Sequence, residues 1–158
     1  MAYTLLDSVE TTTAQTSILF QNIDQTHQDL VIDVYIPTST SIRSGVYFNG
    51  VTSPSIFGGY LYVNNTTFDG IASYGFIWPY VATTINNQGM PFQYTFEIPD
   101  YTTANDKSAF GWCGSYDPAM VSGQLPASVY GAITQLEFYE ASAIAYPAGT
   151  LIQIYGRS

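Results

Sequence analysis

Strict alternation of apolar and polar residues is the feature that most restricts how this chain can fold. The segment FQYTFEIP shows it clearly, because polar residues separate the apolar Phe92, Tyr94, Phe96 and Ile98. Successive side chains of a β-strand point to opposite faces of the sheet, so a period of two predicts a strand with one buried and one wetter face. This segment is therefore predicted to be a strand that lies against a core.

The same alternation occurs in the segments DLVIDVYIP, ITQLEFYE and LIQIYG, whereas the spacing of an amphipathic helix never persists for three turns. The pattern predicts an all-β protein. The apolar positions of the four alternating segments define the predicted core: Leu30, Ile32, Val34, Ile36, Phe92, Tyr94, Phe96, Ile98, Leu136, Phe138, Ile152 and Ile154.

Breaks rich in Gly, Pro and Asn separate the strand candidates. Strands are predicted near residues 3–9, 15–22, 29–36, 44–48, 58–63, 71–78, 91–98, 107–114, 132–139 and 150–155. Eight to ten strands in one domain over residues 1–158 predict two packed sheets, a jelly-roll-like β-sandwich. A closed barrel is the main alternative, and residues 120–132 are predicted to form a short helical turn or a long crossing loop.

The charge balance restricts the possible partners. Three basic residues stand against twelve acidic ones, which gives a net charge of −9. Nucleic-acid binding needs a positive surface, and an anionic membrane would repel this chain, so neither is expected as a partner. Only 9% of the residues are charged, well below the roughly 25% of ordinary globular proteins, and 14 are Tyr. A polar, uncharged surface suits burial against protein neighbours or exposure outside a cell, and the Tyr content favours an interface.

The first ten residues have neither a basic region nor a long apolar run, so no secretory signal is expected and the protein is predicted to be made in a cytoplasm. The chain has one Cys, Cys113, and one His, His27, which together cannot build a Cys/His metal cluster. Cys113 is interpreted as a small packing residue and His27 as an exposed turn residue. No cofactor is predicted.

Paired carboxylates would be the signature of a glycosidase, which needs two at a fixed separation. Glu97, Glu137 and Glu140 lie on or beside predicted strands, and Asp100 follows in a turn. Glu97 and Glu137 occupy the polar faces of their strands, where we expect ordinary solvated acids. No nucleophile motif is present, and we predict no enzymatic activity.

Two other groups of residues leave binding hypotheses open. The acidic turns containing Asp100, Asp106 and Asp117 could hold a calcium ion, although they lack the regular spacing of an EF-hand loop. An aromatic row at alternate positions could stack sugar rings, face the core or form an interface; its members are Tyr74, Phe76, Trp78 and Tyr80.

The order of several short motifs resembles that of small virion proteins of tailed bacteriophages, including those of cyanobacteria. The similarity spans nearly the whole chain, and residues 51–90 depart most from it. The matching positions are Asp29, Leu30 and Val31; Phe48, Asn49 and Gly50; Ile98, Pro99, Tyr101 and Lys107; and Gly149, Thr150, Tyr155 and Gly156. The resemblance implies a β-sandwich that decorates a capsid or belongs to a tail fibre, with no catalytic residues, and a middle segment that sets the choice of partner.

We therefore expect a non-enzymatic virion protein, located in the particle and bound to the major capsid protein or to tail components. A homotrimer or homopentamer is expected, because closed symmetry suits a symmetric lattice point. A receptor- or carbohydrate-binding module is the second hypothesis, and a hydrolase of surface polysaccharide is the third.

Overall fold

The computed structural model describes residues 2–37, 44–52, 57–62, 68–72, 91–114, 119–125, 131–140 and 145–158, and the regular elements among them are all strands. No helix able to cross a bilayer occurs in this part of the chain. The eleven strands are β1 (Tyr3–Glu10), β2 (Ser17–Gln21), β3 (Asp29–Ile36), β4 (Ser44–Phe48), β5 (Phe57–Tyr62), β6 (Phe68–Ala72), β7 (Phe92–Ile98), β8 (Lys107–Gly114), β9 (Ala119–Leu125), β10 (Gln135–Glu140) and β11 (Leu151–Arg157).

The strands form two antiparallel sheets. The large sheet has the order β1-β11-β3-β7-β8-β9-β5-β6, and the small sheet has the order β2-β10-β4. The predicted all-β, two-sheet sandwich is confirmed. The closed-barrel alternative is not found among the described strands, because β1 and β6 end the large sheet and β2 and β4 end the small one.

One further strand lies where the sequence predicted a helical turn or a crossing loop. Ala119–Leu125 forms β9 and pairs on both sides. Its Met120 is opposite Trp112 of β8, and its Val121 is opposite Tyr60 of β5. The segment AMVSGQL has weak apolar alternation of its own. Its strand conformation is therefore set by two neighbouring ladders, which satisfy its backbone groups, and local sequence preference contributes little.

The core lies between the two sheets, and the alternating positions of β2, β3, β7, β10 and β11 supply most of it. All twelve residues predicted as core are 5% exposed or less. The Phe138 ring on the small sheet contacts Phe20 edge-on at a centroid distance of 5.8 Å and meets Phe96 of the large sheet at 6.4 Å. These aromatic contacts join the two layers, so their burial stabilises the sandwich itself.

The last strand lies inside the large sheet. β11 pairs with β1 on one side and with β3 on the other, and Ile152 and Ile154 are fully buried. The PAGT turn positions its start: Gly149 has a φ of 82°, and Thr11 Oγ1 accepts a hydrogen bond from the Thr150 amide at 3.0 Å. A position with that φ favours glycine.

Residues of the short motifs singled out from the sequence have structural roles here. Tyr101 is fully buried, and its hydroxyl donates to the carbonyl of Asp24. Burial, reinforced by the charge of Asp24, raises the pKa of Tyr101 to about 12. Lys107 is only 3% exposed; its Nζ donates to the carbonyl of Asn105 at 2.9 Å and to that of Gly131. Burial lowers the pKa of Lys107. The hydrogen bonds of Tyr101 and Lys107 therefore fix the backbone of the loops that contain Asp24, Asn105 and Gly131.

The FNG motif forms the turn after β4. Asn49 adopts a φ of 51°, and its side chain binds the start of β10. Its Nδ2 donates to the carbonyl of Ala132 at 2.7 Å, while Oδ1 accepts from the amides of Thr134 at 2.8 Å and Gln135 at 3.1 Å. Asn tolerates the left-handed region better than most residues, which explains why it suits this turn.

Asn49→Ala is expected to lower the free energy of unfolding by about 1–2 kcal/mol, because it removes the side-chain hydrogen bonds to Ala132, Thr134 and Gln135 and places alanine, which tolerates positive φ less well than asparagine, at this turn. Chemical denaturation measures the change. Asn49→Gly is the matched control: it relieves the backbone but loses the same bonds, so it should remain destabilised, by less than Asn49→Ala. Wild-type stability of both variants would show that these hydrogen bonds contribute nothing.

Candidate functional site: a groove and a tyrosine face

An open groove crosses the outer face of the large sheet. Its volume is about 330 Å³, near the lower end of the usual range for ligand sites. Five strands line it, because outward positions of neighbouring strands stand side by side. The residues that line the groove are Tyr3, Val31, Asp33, Thr95, Glu97, Trp112 and Tyr155.

Aromatic side chains stand at the two ends of the groove. Trp112 on β8 is 51% exposed, and Tyr3 on β1 is 55% exposed. Tyr3 is opposite Arg157 on β11, and the half-buried Tyr155, two residues before Arg157, also lines the groove. The order β11-β3-β7-β8 places Tyr155 and Trp112 three strands apart, a lateral separation of about 14 Å. The groove therefore has two aromatic platforms, which we name the Trp112 platform and the Tyr3/Tyr155 platform.

Short polar side chains and a buried valine form the floor between the platforms. Thr95 and Asp33 are opposite each other on β7 and β3, and the Thr95 hydroxyl donates to Asp33 Oδ1. Val31 is opposite Glu97 on the same two strands. Carboxylate oxygens accept several hydrogen bonds each, so Asp33 retains acceptor capacity toward a ligand.

An ion network supports one side of the groove. Arg157 donates to Asp29 Oδ2 from Nε at 3.0 Å and from Nη2 at 2.8 Å, and its Nη1 lies 2.9 Å from Glu97 Oε2. Hydrogen bonds to Asp29 and Tyr3, together with the nearby charges of Glu97 and Asp29, raise the pKa of Arg157. The guanidinium thus connects Tyr3, β3 and β7.

The prediction that Glu97 is an ordinary solvated acid is wrong. Glu97 is 8% exposed and paired with Arg157. The physical reason is that the neighbouring strands cover the outward face of β7 with large side chains, and a carboxylate buried in this way needs a cation partner. Glu137 is half-buried on the small sheet. Glu97 and Glu137 therefore lie on the outer faces of different sheets and do not form a catalytic pair.

The outer face of the small sheet carries a second cluster, which we name the tyrosine face. It consists of Leu19 on β2, Glu137 and Tyr139 on β10, and Tyr47 on β4. The Tyr47 and Tyr139 rings stack at 3.9 Å with an interplanar angle of 9°, and Leu19 is 47% exposed. The Tyr139 ring fills the space where a side chain at Gly45 would stand. Burial and the Tyr47 hydroxyl raise the pKa of Tyr139.

Several residues singled out from the sequence lie elsewhere. The predicted aromatic row, Tyr74, Phe76, Trp78 and Tyr80, lies outside the described residues. His27 is in a turn, as predicted, but is half-buried: Thr26 Oγ1 lies 3.2 Å from its Nδ1, and its ring packs on Gly156, where a methyl group would overlap it. Cys113 lies in β8.

The acidic turns do not assemble a calcium site in the described part of the chain. No group of three His, Cys, Asp or Glu side chains suited to a metal ion occurs among those residues. Asp100 has other contacts: its amide donates to Asp29 Oδ1 at 3.1 Å, and its Oδ1 accepts from Gln28 at 3.3 Å. Asp117 is not among the described residues.

Sequence reasoning did not identify the groove. Phe110 and Trp112 are two residues apart on β8 and therefore share one face, and that spacing could have indicated an exposed aromatic pair. Tyr3 and Tyr155 gave no such signal, because they come from opposite ends of the chain and reach the same groove only through the pairing of β1 with β11.

No family model matches the chain, and no curated protein resembles its sequence significantly. Among solved structures, the chain is similar to the crystal structure of A. japonicus CB05 and to that of the wild-type fructosyltransferase from A. japonicus. In both comparisons the TM-score is 0.44 and the sequence identity 10%, over 99% of this chain. The chain spans only 26% of the length of each of those structures. Similarity at this level carries no information about activity.

Proposed function

We propose that this chain is a non-enzymatic structural protein of a tailed-bacteriophage particle, bound as a decoration or cement subunit to the outer surface of the head. The observation that carries the proposal is the tyrosine face, where stacked tyrosines and an exposed leucine surround a single charged residue, Glu137. Protein interfaces are enriched in tyrosine and depleted of charge at their centres. The proposed occupant of this face is the major capsid protein or a second copy in a trimer or pentamer.

Two further observations support a structural role. The motifs that carry the resemblance to virion proteins include Asn49, Tyr101 and Lys107, whose side chains donate hydrogen bonds to backbone carbonyls of loops. Such roles are expected of motifs that specify a fold rather than a reaction. The carboxylate of Glu97 is also committed to an ion pair with Arg157. A role in a tail fibre, with receptor recognition, is the second candidate, and the groove favours it.

Mass spectrometry of purified particles, with copy numbers, tests the location. We expect the protein at a copy number that matches the lattice points of the head. Its absence from the particles would overturn the proposal. A copy number that matches the fibres would exclude a place on the head and support the tail-fibre role.

Reconstitution onto particles that lack the protein tests the tyrosine face. Leu19→Asp should reduce occupancy about tenfold or more, because it places a charge in an apolar contact. Leu5→Asp is the matched control, since Leu5 is 51% exposed on β1 of the other sheet and its replacement should leave occupancy unchanged. Equal occupancy for the two variants would exclude the tyrosine face as the contact.

A further inference from the structure

We infer that the groove on the outer face of the large sheet is a binding site for a neutral oligosaccharide, formed by the Trp112 platform, the Tyr3/Tyr155 platform and the polar floor between them. This inference goes beyond the structural role, because it concerns the sheet face opposite the tyrosine face. Nothing in it depends on which particle the protein belongs to.

The aromatic platforms indicate a ligand with apolar faces. Trp112 is 51% exposed and Tyr3 55% exposed, although large aromatic side chains are costly to leave in water. One face of a pyranose ring presents mainly C–H groups, and such a face packs on an aromatic ring while the hydroxyls at its edge remain free for hydrogen bonds. Single exposed aromatic residues are ordinary, but two platforms at the ends of one groove define a shaped surface.

The separation of the platforms indicates an extended ligand. The strands of Tyr155 and Trp112 lie about 14 Å apart, and the strand of Tyr3 lies one strand further away, whereas a cation–π contact requires a cation within about 6 Å of the ring centroid. A single ammonium group therefore cannot contact both platforms, and the groove is too wide to be an aromatic cage. A chain of two or more sugar units can place one ring on each platform.

The polar floor matches the hydroxyls of such a chain. Asp33 and Thr95 form a hydrogen-bonded pair midway between the platforms, and the pair leaves acceptor capacity on Asp33. A small number of placed polar groups in a mainly apolar site is the usual arrangement for fixing the orientation of a ligand. The floor can therefore accept hydrogen bonds from the hydroxyl groups of a ligand.

The charge of the groove selects against acidic sugars. Asp33 and Glu97 line it, and Arg157, the cation beside it, is already engaged by Asp29 and Glu97. With a net charge of −9, the chain would repel uronic, sialic or sulfated glycans. An extended peptide would gain little affinity from main-chain hydrogen bonds here, because β-augmentation needs a free strand edge and this site is a sheet face.

Titration with neutral hexasaccharides tests the inference. The probes are reduced hexaoses of glucan, mannan, galactan and rhamnan types, used up to millimolar concentration. The chain has two tryptophans, so the Trp78→Phe variant reports on Trp112 alone. At least one neutral probe should change the fluorescence of that variant saturably, and the same probe should bind the wild type in calorimetry. Polygalacturonate hexamers should not bind.

Matched variants test the geometry. Trp112→Ala and Asp33→Asn should each weaken binding about tenfold or more. Phe110→Ala should leave binding unchanged, because Phe110 is 40% exposed on the same strand but does not line the groove. Circular dichroism and denaturation midpoints establish that each variant is folded.

The inference is overturned if no neutral probe binds, if Trp112→Ala binds as the wild type does, or if a proline-rich peptide competes for Trp112 and the sugars do not. Release of reducing ends from a bound probe would contradict the proposed non-enzymatic function while leaving recognition of the glycan intact. The failure of either proposal can therefore be distinguished from the failure of the other.

Discussion

Phe138→Ala is expected to lower the free energy of unfolding by about 3–5 kcal/mol, the range found when a packed aromatic side chain is removed from a core. Phe138 is fully buried and touches Phe20 of its own sheet and Phe96 of the other, so its removal leaves a cavity between the two layers. Both layers are held by neighbouring aromatic residues, which limits how far the structure can relax into the space. Chemical denaturation with a two-state analysis measures the loss.

Leu19→Ala is the matched control for that experiment. Leu19 pairs across from Glu137, one residue before Phe138, but is 47% exposed on the outer face. Its truncation should change stability by no more than about 0.5 kcal/mol, as is usual for surface positions. A loss below about 1 kcal/mol for Phe138→Ala would show that the alternating faces are not the main source of stability.

Arg157→Met is expected to lower the free energy of unfolding by about 2–3 kcal/mol. The substitution removes the partner of Asp29 and of the buried Glu97, and a buried charge without a partner is strongly destabilising. The effect should lie below that of a fully buried pair, because the side chains of Arg157 and Asp29 are each 15% exposed. It should also depend weakly on salt, since the network is partly shielded from solvent.

A double variant identifies the cause. Adding Glu97→Gln to Arg157→Met removes the uncompensated charge and should restore part of the lost stability. If Arg157→Met alone costs less than about 0.5 kcal/mol, the network behaves as an exposed surface pair, and its role in supporting the groove is excluded.

The two surfaces face in opposite directions, and this arrangement has a functional consequence. In a two-layer sandwich the outer face of one sheet points away from the outer face of the other, so the tyrosine face and the groove can be occupied together. We propose that the small sheet binds the particle while the large sheet remains exposed to solvent. A subunit built in this way would attach to protein on one side and present a glycan site on the other.

The agreement between sequence and structure is closest where one strand alone contains the necessary information. The bounds of β3, β4 and β8 coincide with the predicted segments, because alternation and turn residues are local features. The prediction differed at β9, which lacks clear alternation and depends on two partners. It also differed at Glu97, whose side chain is on the polar face of β7 yet is covered by its neighbours.

Local pattern and composition are enough to predict the all-β class, the inward faces of the strands and the scarcity of charge, since all three are readable along one chain. Which outward residues come together depends on how the strands are ordered in three dimensions. Arg157 reaches Asp29 across 128 positions, and Tyr3 reaches the same groove as Trp112 through four intervening strand pairings. The order of strands in a sheet follows from long-range packing and backbone pairing, which no local pattern encodes.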